Sequence, residues 1–182
     1  MGSPATLNLF SISGSLRAQS SNRTLLAAAS RSTPDGVRLD LYDGVARLPH
    51  FNPDLDASAI AEVVELTRRV READGFVVST PEYARGIPGA LKNALDWLVG
   101  GDAFVEKPFM LLNASDRSQY AQKALIDVLR TMSGVAIDAA FLTVPLLGKA
   151  LDVDALLGDA RYADQIRASL ATFANAIRAR RA

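Results

Sequence analysis

The sequence predicts an α/β fold: a doubly wound, five-stranded parallel sheet in the order 2-1-3-4-5 with helices on both faces. Apolar runs of strand length alternate with stretches of helical period, giving five successive β-α units. Several of those runs show no polar alternation, as strands covered on both faces require. No composition break, repeat or linker interrupts the 182 residues. Residues 1–182 are therefore expected to form one domain, within the usual span of about 100–200 residues.

The first strand is read at residues 6–12, in Leu7-Asn8-Leu9-Phe10-Ser11-Ile12, with a helix over about 22–32. Val37–Tyr42 alternates with period two and is expected near a sheet edge. Residues 54–73 read as a helix with Ile60, Val63, Val64, Thr67 and Val70 on one face. Gly75–Thr80 is a short strand of buried type. Pro88 then stands where a first helical turn tolerates proline, ahead of Leu91, Ala94, Leu95 and Leu98. Pro108–Asn113 is the fourth strand, and Ala121, Ala124, Leu125, Val128, Leu129 and Met132 stripe the following helix. A fifth strand is placed within Val135–Pro145. Ile166, Leu170, Phe173, Ala174 and Ile177 stripe the last helix.

Composition narrows function by exclusion. Twenty basic and twenty acidic residues give a formal net charge of +0, without the basic excess that marks nucleic-acid or membrane-surface binding. The run Arg178-Ala179-Arg180-Arg181 is read as a frayed helix end favoured by the helix dipole. With no cysteine and one histidine, thiolate chemistry, disulfides and polyhistidine metal sites are ruled out, and no metal site is expected. No N-terminal stretch has the basic-then-apolar form of a signal, and no run approaches ~18–20 apolar residues, so a soluble, cytoplasmic protein is expected.

In sheets of this order, ligands bind beyond the carboxyl ends of the strands, where the strand order reverses. The loops to inspect are 13–22 and 81–88, with 113–119 as a third wall. Loop 13–22, Ser13-Gly14-Ser15-Leu16-Arg17-Ala18-Gln19-Ser20-Ser21-Asn22, places small hydroxyls and one guanidinium between a strand and a helix start. That is an anion cradle: helix N-termini offer unpaired N–H groups and partial positive charge. Gly14 permits a tight turn and close backbone approach to a ligand. Neither G-x-x-x-x-G-K-[ST] nor G-x-G-x-x-G is present, which points to a terminal phosphate monoester. Ser20, Ser21 or Asn22 also qualifies as an N-cap, and both roles are compatible because a cap position is where an anion binds.

The second loop, Thr80-Pro81-Glu82-Tyr83-Ala84-Arg85-Gly86-Ile87-Pro88-Gly89, is stiffened by two prolines. Its glycines let the main chain bend or come close to a flat ligand. A stiff loop of this kind can present backbone groups to a heteroaromatic edge; an ordinary β-α connection explains the same composition. Trp97 and Leu98, on the apolar stripe, are assigned to the core or a subunit contact. His50, in a proline-rich loop, is assigned to the surface or a subunit contact.

Taken together, Gly14-Ser15-Leu16-Arg17-x-x-Ser20-x-Asn22 and Thr80-Pro81-Glu82-Tyr83…Pro88-Gly89-Ala90-Leu91-Lys92-Asn93-Ala94-Leu95-Asp96-Trp97-Leu98 resemble the NAD(P)H-dependent FMN reductase family, whose members are flavodoxin-like quinone, azo-dye and chromate reductases. The resemblance spans most of the chain. It implies a flavodoxin-like fold and bound FMN, with the phosphate held by Ser15, Arg17, Ser20 and Asn22. The isoalloxazine would be lined by Pro81, Glu82 and Tyr83, mostly through backbone atoms, with Ala84, Arg85 and Ser115 completing the surroundings. NADPH or NADH would be the transient hydride donor, and a quinone, azo compound, nitroaromatic or free flavin the acceptor. No side chain need be catalytic, since the chemistry belongs to FMN. A homodimer or homotetramer is implied, with neither nucleic acid nor membrane as partner. Two departures stand out: Ala84-Arg85 where many relatives have asparagine after the tyrosine, and Asn113-Ala114-Ser115-Asp116-Arg117 where a glycine-rich loop is common.

Other function classes fit less well. A Ser-His-Asp hydrolase lacks the G-x-S-x-G elbow. A flavodoxin-type electron carrier, or a flavin-binding regulatory module, is the alternative; carriers of this fold tend to be strongly acidic, unlike this neutral chain. A flavin-free scaffold would have no use for the first loop.

Overall fold

The computed structural model describes residues 6–146, 148–149 and 151–181. Strands β1 (Leu7–Ser13), β2 (Val37–Tyr42), β3 (Gly75–Ser79), β4 (Pro108–Asn113) and β5 (Val135–Ala136) lie in the order β2-β1-β3-β4-β5, all parallel. This is the expected 2-1-3-4-5 sheet. Helices α1 (Ser21–Arg31), α2 (Ala61–Glu72), α3 (Gly89–Val99) and α4 (Gln119–Thr131) connect them.

Alternate strand residues feed two cores. Phe10, Ile12, Phe76, Val78, Phe109 and Leu111 face α2, α3 and α4. Leu7, Leu9, Val77, Met110 and Leu112 face α1 and the C-terminal helix. With period two and apolar residues at both parities, β3 and β4 are buried on both sides, while β2 at the edge leaves Arg38 and Leu41 exposed.

Several details differ from the sequence reading. The helix expected over 54–73 begins at Ala61, after a 3₁₀ turn at Ala57–Ala59; nothing before Ile60 has a core to face, and residues 54–59 are exposed. Its buried face is Val63, Leu66 and Val70, while Val64 points to solvent. The fifth strand is split. β5 pairs with Pro108–Phe109, a 3₁₀ turn at Asp138–Ala140 intervenes, and β6 (Leu142–Thr143) pairs with Leu112–Asn113. Burial of Ala140 against the second core pulls the chain out of the ladder between them. Finally, α5 (Val153–Gly158) precedes a last helix, α6 (Ala160–Ala179), that starts before its apolar stripe. The basic run ends α6, with Arg181 paired to Asp74 rather than frayed.

Trp97 and Leu98 are core residues. The Trp97 indole N–H donates to the Pro49 carbonyl at 2.8 Å, and Asn93 donates to the same oxygen at 2.9 Å. They anchor the 49–51 strap, on which His50 is exposed.

Candidate functional site

β1 and β3 run side by side with Ser13 opposite Ser79, so their following loops leave the sheet together at the reversal of strand order. Gly14 N–H donates to the Ser79 carbonyl at 2.9 Å. A Cβ on Gly14 would lie 2.1 Å from Thr80 Oγ1 and 2.8 Å from Thr80 Cβ. The close approach that requires glycine is therefore to the neighbouring loop, which corrects the expectation that it faces a ligand. It brings the two loops into contact at their roots.

The first loop closes on hydroxyls. Ser15 N–H donates to Ser13 Oγ at 3.1 Å, and Ser15 Oγ accepts from Arg17 N–H at 3.4 Å. Ser20 is the N-cap of α1: its backbone is extended and its Oγ accepts from Arg23 N–H at 3.4 Å. No acidic residue stands in the first turn of α1, so the positive end of its dipole faces the loop without a local carboxylate. Asn22 is buried, and its side-chain oxygen accepts the Ser79 hydroxyl at 2.9 Å. Arg17 is exposed and has no carboxylate within 4.0 Å among the described residues.

The second loop is a tight hairpin. Tyr83 and Gly86 exchange N–H···O bonds of 3.2 and 2.9 Å, and the two residues between them, Ala84 and Arg85, have φ of 48° and 59°. Positive φ at both central positions is the geometry that ordinarily selects Asn-Gly, and each non-glycine residue there costs about 1–2 kcal/mol. Gly86, expected to give the bend, instead closes it.

Glu82 lines the cleft, and its side chain has a partner the sequence did not show. Its carboxylate turns away to α4, where Oε2 accepts from Tyr120 N–H at 2.8 Å and Ala121 N–H at 3.0 Å. Those are the donors an N-cap side chain normally serves; Ser118, at the cap position, makes no such bond. The Arg85 guanidinium lies 4.8 Å from the Tyr120 ring centroid, within cation–π range.

In the third loop, Asn113 Oδ1 accepts from Ser115 N–H at 3.2 Å and its amide donates back to the Ser115 carbonyl. Ser115 Oγ accepts from Arg117 N–H at 3.1 Å. This Asx turn does with side chains what a glycine-rich loop does by backbone freedom.

The three loops enclose a cleft of about 350 Å³ that brings together Ser15, Arg17, Ser20, Asn22, Pro81, Glu82, Tyr83 and Ser115. Ala84 and Arg85 are not among its lining residues and sit at the hairpin tip. The lining adds Gln19, Ser21, Ala114, Arg117 and Ser118. Arg117 and Ser118 had a signal in the sequence: they precede a helix after a strand, as Arg17 and Ser20 do. A shallower, mostly apolar hollow adjoins it, lined by Leu16, Arg17, Tyr83, Pro88 and Ala90. Among the described residues no cluster of His, Cys, Asp and Glu could hold a metal ion.

Of the two helix N-termini that reach the cleft, α4 already carries the Glu82 carboxylate and α1 carries no acid. The donor set at α1, with Ser15, Ser20 and Arg17, suits a phosphate dianion, and the cleft beyond it is lined by Pro81, Glu82, Tyr83 and Ala114. FMN fits this arrangement of donors.

Comparison with known proteins agrees. A family model described as NADPH-dependent FMN reductase matches residues 7–146. The chain is 36% identical over 110 residues to the NADH:(hydroxy)cinnamate reductase subunit CrdA of Vibrio ruber, covering 60% of this chain and 54% of that protein. It is 37% identical over 112 residues to an NAD(P)H-dependent FMN reductase of Pseudomonas aeruginosa, covering 60% of each. A probable NADPH:quinone oxidoreductase 1 of Oryza sativa is 35% identical over 181 residues, covering 88% of this chain and 87% of that one. The matched regions thus span about half to two thirds of the first curated relatives. Among solved structures, the flavoenzyme NAD(P)H:(acceptor) oxidoreductase FerB of Paracoccus denitrificans superposes with a TM-score of 0.77 at 24% identity, covering 95% of this chain and 98% of that one. That likeness shows the flavodoxin-like fold.

Proposed function

The chain belongs to the NADPH-dependent FMN reductase family, and from that premise we propose that it is a single-domain FMN-dependent NAD(P)H oxidoreductase acting on a quinone, azo, nitro or flavin acceptor. When bound, FMN supplies the two-electron chemistry, relaying a hydride from the nicotinamide to the acceptor. The protein's part is to bind, orient and tune.

The observation that carries the reading is the contrast between the two helix ends. α1 presents its first turn and Ser20 to the cleft beside Arg17, which has no carboxylate partner among the described residues, and no acid stands in that turn, whereas the first turn of α4 carries the Glu82 carboxylate. An anion entering the cleft is therefore drawn to α1. Ser15, Arg17, Ser20 and the amide of Asn22 would hold the phosphate. Main-chain atoms of Pro81–Tyr83, with Ser115 on the facing loop, would hold the ring edge. Ala84 and Arg85 would act from the rim. Leu16 and Tyr83, each about half exposed, border the apolar hollow beside the cleft and give a flat acceptor a surface to lie on.

Assembly as a homodimer or homotetramer belongs to the same proposal, with the exposed apolar side chains Leu16, Phe51, Leu55 and Val99 available for contacts. Among the described residues no helix is long and apolar enough to cross a membrane; with a chain free of cysteine, this supports the cytoplasm as its compartment.

The test is reconstitution. Purified protein incubated with FMN and desalted should retain a flavin spectrum and oxidise NADH or NADPH with a benzoquinone. Failure to retain flavin refutes the reading; retention with negligible turnover makes the protein an electron carrier instead.

A further inference from the structure

We propose that Glu82 is a positioning residue whose carboxylate ties the β3–α3 hairpin to the first turn of α4, setting two walls of the cleft in register before a ligand enters. The proposal rests on the reading of that cleft as an FMN site, the cofactor being the molecule both walls would hold.

Two elements are each incomplete alone. The hairpin carries two consecutive non-glycine residues in the left-handed region, Ala84 at 48° and Arg85 at 59°, a conformation that persists only where its surroundings over-determine it. The start of α4 has a cap residue, Ser118, whose side chain bonds no first-turn N–H, and orphan N–H groups need a partner. Glu82 meets both needs at once. Its Oε2 receives Tyr120 N–H at 2.8 Å and Ala121 N–H at 3.0 Å across 38 and 39 positions of sequence, and charge-assisted bonds of this kind are the stronger class. Arg85, from the strained tip, lies over the ring of the same Tyr120 at 4.8 Å. The hairpin is thus fastened to one turn of α4 from both of its sides. The same arrangement keeps the Glu82 charge on α4 and off the anion end of the cleft.

The experiment uses the full chain and compares wild type, Glu82→Ala, Glu82→Gln and Glu82→Ala combined with Ala84→Asn. FMN affinity is read by flavin fluorescence, and amide hydrogen exchange is followed over 83–86 and 119–122 without flavin. Glu82→Ala should raise the FMN Kd about tenfold, equivalent to about 1.4 kcal/mol, and speed exchange at Gly86, Tyr120 and Ala121 together. Glu82→Gln keeps an acceptor oxygen and should retain most of the affinity. Ala84→Asn favours the left-handed region and should recover part of the affinity lost in Glu82→Ala while Tyr120 and Ala121 stay unprotected. A residue that only caps a helix would lower stability without moving the Kd, and Ala84→Asn would rescue nothing; either result overturns the proposal, as does faster exchange at α4 with an unchanged hairpin. Wild type that takes up no FMN refutes the functional reading instead, and the exchange measurement, which needs no flavin, still decides whether Glu82 joins the two walls.

Discussion

Ser79 donates its hydroxyl to the side-chain oxygen of Asn22 across 2.9 Å, 57 positions apart and out of water. The bond fixes the first turn of α1 to the end of β3, so the loop proposed to hold the phosphate and the loop proposed to meet the ring share one anchor. Ser79→Ala strands the Asn22 acceptor in the interior, and a buried polar group left unpaired costs about 1–3 kcal/mol. The urea midpoint should fall accordingly, with FMN affinity weakened alongside. An unchanged midpoint would show that Asn22 finds another partner.

Arg17 should behave in the opposite way, with function lost and stability kept. It is exposed and, among the described residues, has no ion-pair partner. Arg17→Ala should leave the melting temperature in place and weaken FMN binding by one to two orders of magnitude, since hydrogen bonds to charged groups contribute about 1.5–3 kcal/mol. Riboflavin, which lacks the phosphate, should bind wild type and variant alike.

At Gly14 the constraint is steric. A methyl group there meets Thr80 Oγ1 at 2.1 Å, and forced contacts in packed regions commonly cost about 1–3 kcal/mol. Gly14→Ala should destabilise the chain. Thr80→Ala, which removes that oxygen, should recover part of the loss in the double variant, as a double-mutant cycle would show.

The alkaline limb of the stability curve should carry the signature of Tyr42. Burial raises its phenol above 10.0, against lowering by Arg47 and Arg69. A raised folded pKa keeps the proton on the folded state after the unfolded chain has begun to lose it, so stability is intact below pH 10.0 and declines as pH rises through the folded value. Tyr42→Phe should abolish that decline. Lys107 acts with the other sign: desolvation lowers its pKa below 10.5, so its contribution grows as pH rises toward 10.5. Urea titrations on both sides of pH 10.0 distinguish wild type from Tyr42→Phe.

Much of this molecule was legible from local pattern. Strands β3 and β4 are apolar at both parities, which specifies burial on two faces, and Pro88 and Ser20 mark helix starts through their own backbone chemistry. The start of α2 and the division of the fifth strand were not legible, because each depends on what the segment packs against: Ala140 leaves the sheet only because a second core lies beneath it. That Ser15, Arg17 and Ser20 line one cleft was readable, because a strand end and a helix start place them together at the reversal of strand order. The partner of the Glu82 carboxylate was not legible. That carboxylate has no evident use in the local sequence until α4, almost forty residues later, presents its first-turn N–H groups.

The sequence by itself determined the α/β class, the strand order and which loops leave the sheet at its reversal, since periodicity, helix-start chemistry and the two motifs are properties of neighbouring residues. Only the tertiary structure decided how that loop is held. Gly14 spends its missing side chain on Thr80, Asn22 on α1 is bound to Ser79, and the charge of Glu82 is taken by α4. Each of these is a contact between segments distant along the chain, and directional hydrogen bonds and excluded volume act only when folding has brought such segments within a few ångströms.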